Sequence, residues 1–141
     1  MNHPSPLESL TGPGKPLRKE PPDRNEIKGL IASASARLQD AAILTLALES
    51  RFDLAYNAAH ALCLAALRMR GDRSSNRYIV FQALQHTLGL GPEVWRVLAK
   101  CHDVRNLGEY EGDLNINERL VVDLIAATQC VANALQKVEL S

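Results

Sequence analysis

Ten consecutive residues, CHDVRNLGEY, hold side chains that could bind an anion or move a proton. Residues four apart on a helix are neighbours, so His102, Asn106 and Tyr110 would share one face. Arg105 and Glu109 would share the adjacent strip. Histidine exchanges a proton near neutral pH, and arginine binds carboxylate or phosphate through paired hydrogen bonds. A solvated face with an Arg105–Glu109 ion pair of little energetic value explains the same residues, so the stretch alone leaves both interpretations open.

Arg105 is the residue of this stretch with the clearest requirement for a partner. It lies beside the apolar line of Cys101, Val104 and Gly108, which predicts a position at the edge of buried surface. An arginine in that position needs a carboxylate, an incoming phosphate or a residue of another subunit. We therefore expect Arg105 to be paired rather than fully solvated.

A second polar stripe lies on the alanine-rich stretch RFDLAYNAAH. Asp53, Asn57 and His60 recur at helical spacing, with Tyr56 beside them. Alanine lets a neighbouring helix approach closely, so the stripe could line a pocket or face water. The pattern favours neither outcome, and the three polar residues are candidate ligand contacts.

Four arginines form a third group in the stretch RMRGDRSSNR. Arg68, Arg70, Arg73 and Arg77 surround the end of one predicted helix and the loop that follows it. Cations in that position interact favourably with the helix dipole, which is the simpler interpretation. A patch that contacts phosphate is the alternative.

Known signatures of metal and cofactor chemistry are missing from the sequence. It has no glycine-rich phosphate loop, no H-E-x-x-H pair and no nucleophile elbow. The four histidines do not stand at ligand spacings, and the three cysteines form no C-x-x-C pair and fall on apolar helical stripes. We therefore predict no metal and no cofactor, and expect each cysteine to be a small buried hydrophobe.

Composition favours a single all-α domain. A chain of 141 residues with 46% hydrophobic and 23% charged residues can bury one core, and 4% aromatic residues with abundant alanine and leucine favour helices. The formal net charge is zero, so any binding of nucleic acid needs a local basic patch. The beginning of the sequence shows no apolar signal core and no apolar run is long enough to span a bilayer, so we expect a cytoplasmic protein.

Proline and capping residues divide the chain into a tail and a bundle. Residues 1–22 hold six of the seven prolines and are predicted to form a flexible tail. Residues 23–141 are predicted to form one domain, an up-and-down bundle of four main helices plus short extra helices. The first helix is predicted to begin with a capping box at Asp23 and Glu26, and the second to begin at Ser50 with Asp53 and to stop at Gly71. One further helix is predicted over RYIVFQALQHTLGL, ended by Gly89 and Gly91. The next helix is predicted to begin at Pro92, and the last is predicted to be capped by Asn115 with Glu118.

The order of these elements resembles the HEPN superfamily of small helical-bundle proteins. The likeness runs from about Leu46 to Leu135 and rests on RFDLAYNAAHALCLAALRMRGDR, RYIVFQALQHTLGL and VWRVLAKCHDVRNLGEYEG in that order. The resemblance implies a metal-independent ribonuclease, often a toxin paired with an antitoxin, or a domain that binds RNA or a nucleotide without cutting it. It also implies a homodimer with two arginine motifs at one cleft and, in some branches, a nucleotidyltransferase partner.

The family's catalytic motif is an arginine followed, after four to six residues, by a histidine. Arg105 matches the arginine, Asn106 matches the polar residue that often follows it, and Tyr110 stands where the histidine is expected. No histidine follows Arg105 in this sequence. The resemblance therefore makes Arg105 and Tyr110 the catalytic candidates. The candidate ligand-binding residues are His102, Asn106, Glu109, Asp53, Asn57 and His60.

The missing histidine decides which function we expect. An unperturbed tyrosine titrates near pH 10, so Tyr110 would be a poor base at neutral pH. We expect a domain that binds RNA or a nucleotide-like ligand around Arg105, with weak or no catalysis. A ribonuclease that uses Arg105 with Tyr110, His102 or His60, and an antitoxin-like interaction protein without catalysis, are the alternatives.

Overall fold

The computed structural model of the chain describes residues 7, 10–12, 14–111 and 116–140, without the side chains of residues 109–111, 139 and 140. In this part of the chain the elements are β1 (Arg18–Lys19), α1 (Arg24–Ala41), α2 (Leu48–Met69), β2 (Asp72–Arg73), α3 (Arg77–Gln82), α4 (Leu84–Thr87), α5 (Pro92–Glu111) and α6 (Glu118–Leu140). The prediction of an all-α bundle of four main helices with short extra helices is confirmed. The two strands are minor and pair antiparallel with each other.

A buried arginine shows how the long helices are arranged. Arg51, near the start of α2, donates from Nε to the carbonyl oxygen of Ala41 at the end of α1, at 2.9 Å. Its Nη1 donates to both carboxylate oxygens of Glu118, at 3.1 and 3.2 Å. Helix α1 therefore runs antiparallel to α2, while α2 and α6 begin at the same end of the bundle.

Helix α1 begins as predicted, but its capping box is incomplete. The carboxylate of Asp23 accepts from the backbone N–H groups of Asn25 and Glu26, at 2.9 and 3.2 Å. The side chain of Glu26 instead pairs with Arg68 and Arg73 of the neighbouring segment. Two guanidinium groups attract the carboxylate more strongly than one backbone N–H, so the tertiary contact replaces the local one.

Helix α2 does not begin where Ser50 and Asp53 predicted. It begins at Leu48 after Ala47, which has no side-chain cap, and Asp53 turns toward α5 instead. The predicted stop is confirmed, because Gly71 follows the helix with a φ of +80° that favours glycine.

The stretch predicted as one helix after α2 forms two short helices. Helices α3 and α4 are separated at Ala83, where the chain bends so that both remain packed against α2. Gly89 has a φ of +67° and Pro92 is the first residue of α5, as its position predicted. The cap predicted at Asn115 lies outside the described residues, and Asn117 Oδ1 accepts from the N–H of Leu120 at the start of α6, at 2.8 Å.

The cysteines fill two different environments. Cys63 and Cys101 are buried, and desolvation raises the pKa of both thiols, to about 12 for Cys101. Cys130 is exposed on α6, so the prediction that every cysteine is buried is wrong at that position. Its two neighbours on the buried stripe, Ala127 and Val131, face the core, and Cys130 points away from them.

Part of the segment predicted as a tail is docked on the bundle. Leu17 is fully buried, and β1 pairs with β2 beyond the end of α2. Arg68 of α2 is 1% exposed and donates to the Glu26 carboxylate at 2.6 Å, to the Glu20 carbonyl at 2.8 Å and to the Pro21 carbonyl at 2.6 Å. The Arg68 cluster, defined as Arg68, Arg73, Glu20 and Glu26, therefore holds residues 17–22 against the helices.

None of the helices in the described part of the chain has the length and apolar character needed to cross a membrane.

Candidate functional site

The antiparallel packing of α2 and α5 brings together two stretches that are separate in the sequence. Arg105 Nη1 donates to Asp53 Oδ1, which joins the two helices. The Arg105 side chain is 23% exposed and that of Asp53 is 54% exposed, so the pair lies at the boundary with solvent. The prediction that Arg105 lies at the edge of buried surface is confirmed, and of the three kinds of partner left open the structure shows a carboxylate, that of Asp53.

Tyr56 is the centre of this site. Its side chain is 1% exposed, and its hydroxyl lies 2.9 Å from Nδ1 of His102. The guanidinium carbon of Arg105 lies 4.9 Å from the centre of the Tyr56 ring, and that of Arg77 lies 5.5 Å from it. Both distances are within the range of cation–π attraction. We call Tyr56, His102, Arg105, Arg77 and Asp53 the Tyr56 cluster.

Hydrogen bonds define the orientation of His102. Asn106 Nδ2 lies 3.0 Å from His102 Nε2, one turn further along α5. An amide nitrogen only donates, so Nε2 accepts this bond in a neutral imidazole, and Nδ1–H then donates to the Tyr56 hydroxyl oxygen. His102 is therefore held by both ring nitrogens with its basic nitrogen on the Asn106 side.

An aromatic wall lies behind the two histidines. The Phe81 ring meets the rings of Tyr56, His60 and His102 edge to face, with centroid distances of 5.8, 6.1 and 6.2 Å. Tyr78 lies at the outer side, 6.3 Å from His102, and is 39% exposed. The site therefore has an apolar back and a polar, partly exposed front.

His60 is neutral at physiological pH. Burial first, then the positive charge of Arg77 and the nearby His102, together lower the pKa of His60 to about 4. This effect shows that Arg77 adds positive potential to the region around the histidines. Among the residues that the structure describes, Arg77 has no carboxylate partner.

The predicted site residues divide into three groups. Arg105, His102, Asn106 and Asp53 come together at Tyr56, and His60 lies beside this group against the Phe81 ring. Asn57 lies outside the cluster, because its amide donates to the backbone carbonyl of Asp53 on its own helix, at 2.8 Å. The side chains of Glu109 and Tyr110 lie outside the described residues.

Sequence reasoning missed three residues of the site. Tyr56 was placed beside the polar stripe, Arg77 was grouped with the arginines after α2, and Tyr78 was not considered. The composition offers one signal for them: the chain has only three tyrosines and two phenylalanines, so a place where several of them meet stands out. Two of the tyrosines and both phenylalanines meet in or beside this cluster.

The group of four arginines after α2 does not form one phosphate patch. Arg68 and Arg73 are paired with Glu20 and Glu26, and Arg70 donates to the carbonyl of His86 at 3.3 Å. The charges of Arg68 and Arg73 are thus neutralised within the fold, whereas Arg70 is exposed and bonds only a neutral carbonyl among the described residues. Arg77 belongs to the Tyr56 cluster, so the four arginines divide between different surroundings.

A separate groove lies on another side of the bundle and has a volume of about 610 Å³. It is formed by α1, α2 and α6, with Leu38, Leu62 and Ile125 among its apolar residues and amides such as Gln129 and Asn133 among its polar ones. The described residues that line it include no charged side chain and none of the predicted site residues. Within the described ranges, no group of three or more His, Cys, Asp or Glu could hold a metal ion.

No family model matches the chain, and no curated protein or solved structure matches it either.

Proposed function

We propose that the chain is a HEPN-like domain that binds RNA or a nucleotide-like ligand at the Tyr56 cluster, with Arg105 as the central contact. The observation behind this proposal is the placement of two guanidinium groups, Arg105 and Arg77, over one buried tyrosine that also holds His102. A protein with zero net charge needs such a local group of cations to attract a phosphate.

Electrostatics favours an anionic ligand at this place. Arg105 and Arg77 place two guanidinium groups against one tyrosine ring, and among the described residues Asp53 pairs with Arg105. The Asp53 carboxylate is more than half exposed, and a surface pair of this kind contributes little free energy. An incoming phosphate could therefore take over the Arg105 guanidinium at small cost.

We propose that this domain has weak or no catalysis. The HEPN-like frame lacks the histidine after Arg105, and Tyr110 replaces it. His60 does not compensate, because a pKa of about 4 makes its imidazole a weak base at neutral pH.

The direct test compares RNA binding by the wild type and Arg105→Ala, using fluorescence anisotropy with a labelled oligoribonucleotide at low salt. The matched control is Arg119→Ala, which also removes an arginine paired with an aspartate, Asp123, but on α6. We expect Arg105→Ala to weaken binding at least tenfold and the control variant to bind like the wild type. Equal affinities for wild type and Arg105→Ala, with both proteins folded by circular dichroism, would refute the site.

A ribonuclease is the second candidate, and one observation favours it. Arg105 and His102 contact the same tyrosine, which places a cation and a histidine close together. For catalysis the Asn106 amide would first have to release His102 Nε2, which would then accept the proton of a ribose 2′-hydroxyl while Arg105 stabilises charge on the phosphorane. Cleavage that rises with pH through the histidine range and disappears in His102→Gln would establish this role; RNA left intact by the wild type from pH 5 to 9 would exclude it.

A homodimer is also a proposal, since it follows from the resemblance alone. If two arginine motifs meet at one cleft, a second copy of the chain must cover a face of the bundle that includes α5. An antitoxin or nucleotidyltransferase partner likewise follows from the resemblance alone. Light scattering on the purified chain measures its mass in solution, and the mass of one chain at micromolar concentration would contradict the dimer.

A further inference from the structure

The function proposed above gives Tyr78 no role and uses its neighbour Arg77 only as a source of positive charge. They are consecutive residues at the beginning of α3, on a different element from Arg105. Arg77 lies over the Tyr56 ring, and Tyr78 contacts His102 at a centroid distance of 6.3 Å. Helix α3 therefore adds one cation and one aromatic ring to the front of the Tyr56 cluster.

The exposure of Tyr78 is unusual within this group of rings. Phe52, Tyr56 and Phe81 are buried at 0 or 1% exposure, whereas Tyr78 is 39% exposed. A tyrosine with part of its ring in water next to arginine side chains is the kind of surface on which a nucleobase stacks. The tilt of 52° between the rings of Tyr78 and His102 shows that His102 does not lie flat against the Tyr78 ring.

The charge beside Tyr78 fits the phosphate of the same ligand. Within the described part of the chain Arg77 has no acidic partner, whereas Arg68, Arg73 and Arg105 each pair with a carboxylate. The positive charge of Arg77 reaches His60, whose pKa it lowers. A guanidinium with this position and no acidic neighbour can take a phosphate without first breaking an ion pair.

We propose that Arg77 and Tyr78 form a second ligand contact, in which Tyr78 stacks on an unpaired base and Arg77 binds the adjacent phosphate. This proposal rests on the proposed function, because it assigns the base and one phosphate of the RNA whose other contact is Arg105. It also selects the ligand: bases inside a duplex are already stacked on both faces, so the site takes single-stranded RNA.

The test uses labelled oligouridine, which is unstructured, and a duplex of the same length, with the full chain. Tyr78→Leu keeps an apolar side chain without the ring, and Tyr78→Phe keeps the ring without the hydroxyl. Leu44→Ala is the matched control, because it removes an exposed apolar side chain on the connection between α1 and α2. Circular dichroism checks that each variant is folded, which we expect for a residue as exposed as Tyr78.

We expect Tyr78→Leu to bind oligouridine roughly five- to hundredfold more weakly, while Tyr78→Phe and Leu44→Ala bind like the wild type. The salt dependence separates the two contacts: Tyr78→Leu keeps the wild-type slope, and Arg77→Ala reduces it by about 1. The wild type should bind the duplex more weakly than the single strand.

Three results would overturn the proposal, and they can be told apart. If Arg105→Ala loses binding while Tyr78→Leu and Arg77→Ala keep it, the second contact is wrong and the proposed function stands. If the wild type binds neither oligouridine nor the duplex, both are wrong. Equal affinity for single strand and duplex would also contradict stacking on Tyr78.

Discussion

Two groups of arginines in this protein use the same side chain in opposite ways. In the Arg68 cluster the guanidinium is 1% exposed and is surrounded by the carboxylates of Glu20 and Glu26 and by backbone carbonyls. In the Tyr56 cluster the Arg105 side chain is 23% exposed, pairs with the half-exposed carboxylate of Asp53 and lies over the Tyr56 ring. The first arrangement binds one part of the chain to another, and the second lies at the boundary with solvent.

The difference indicates which arginines can serve a ligand. A guanidinium whose donors are directed at carboxylates and carbonyls of its own chain could bind a phosphate only after that segment of the chain is released. A guanidinium over a tyrosine face gains cation–π attraction while its edge remains available for in-plane hydrogen bonds. Removing an arginine should therefore cost mostly stability in the Arg68 cluster and mostly ligand affinity in the Tyr56 cluster.

The largest expected effect is on the free energy of unfolding of Arg68→Ala. This change leaves the carbonyls of Glu20 and Pro21 without their donor and leaves the Glu26 carboxylate paired with Arg73 but not with Arg68. We expect a loss of about 3 kcal/mol, measured by urea denaturation. The pKa of Glu26, which the hydrogen bonds of Arg68 and then Arg73 lower, should rise toward its ordinary value. A loss below about 1 kcal/mol would contradict a structural role for this cluster.

The next effect is a pH dependence of the free energy of unfolding that comes from His60, which lies beside the Tyr56 cluster against Phe81. The unfolded chain protonates His60 below pH 6.5, whereas the folded protein keeps it neutral until about pH 4. The unfolded state thus binds more protons in this window, so stability should fall as the pH is lowered from 6.5 to 4. His60→Gln removes this titration and should flatten that part of the curve. An unchanged slope in His60→Gln would show that His60 is not held neutral.

A smaller effect is expected from Tyr56→Phe. This change removes the hydroxyl that lies 2.9 Å from His102 but keeps the ring under Arg77 and Arg105. We expect a loss of about 1 kcal/mol in the free energy of unfolding and an RNA affinity close to that of the wild type. A large loss of affinity in a variant of normal stability would show that the hydroxyl, rather than the ring, organises the site.

The sequence predicted the helical framework because that framework depends on local patterns. Apolar spacing, Pro92 at a helix start and Gly71 after a helix end act within one or two turns. Where a capping side chain instead pairs with a residue distant in the sequence, the prediction from local spacing is wrong or incomplete. Glu26 pairs with Arg68 and Arg73 instead of closing a capping box, and Asp53 pairs with Arg105 rather than starting α2.

The site was predictable only in part for the same reason. The apolar line beside Arg105 indicated a half-buried arginine that needs a partner, and the structure shows it. The choice of Asp53 as that partner depends on the packing of α2 against α5, which no spacing within either helix reveals. The central position of Tyr56 depends on three helices meeting in space, namely α2, α5 and the short α3, which brings Arg77 and is predicted as part of a longer helix.

The central claim is that Arg105 binds a ligand, whereas Arg68 stabilises the fold. The most direct measurement determines RNA affinity, RNA cleavage and urea stability side by side for the wild type and Arg105→Ala at neutral pH. We predict that Arg105→Ala binds RNA at least tenfold more weakly, loses no more than about 1 kcal/mol of stability, and that neither protein cleaves RNA rapidly. Unchanged RNA affinity in Arg105→Ala, or a loss of stability as large as that of Arg68→Ala, would contradict the account.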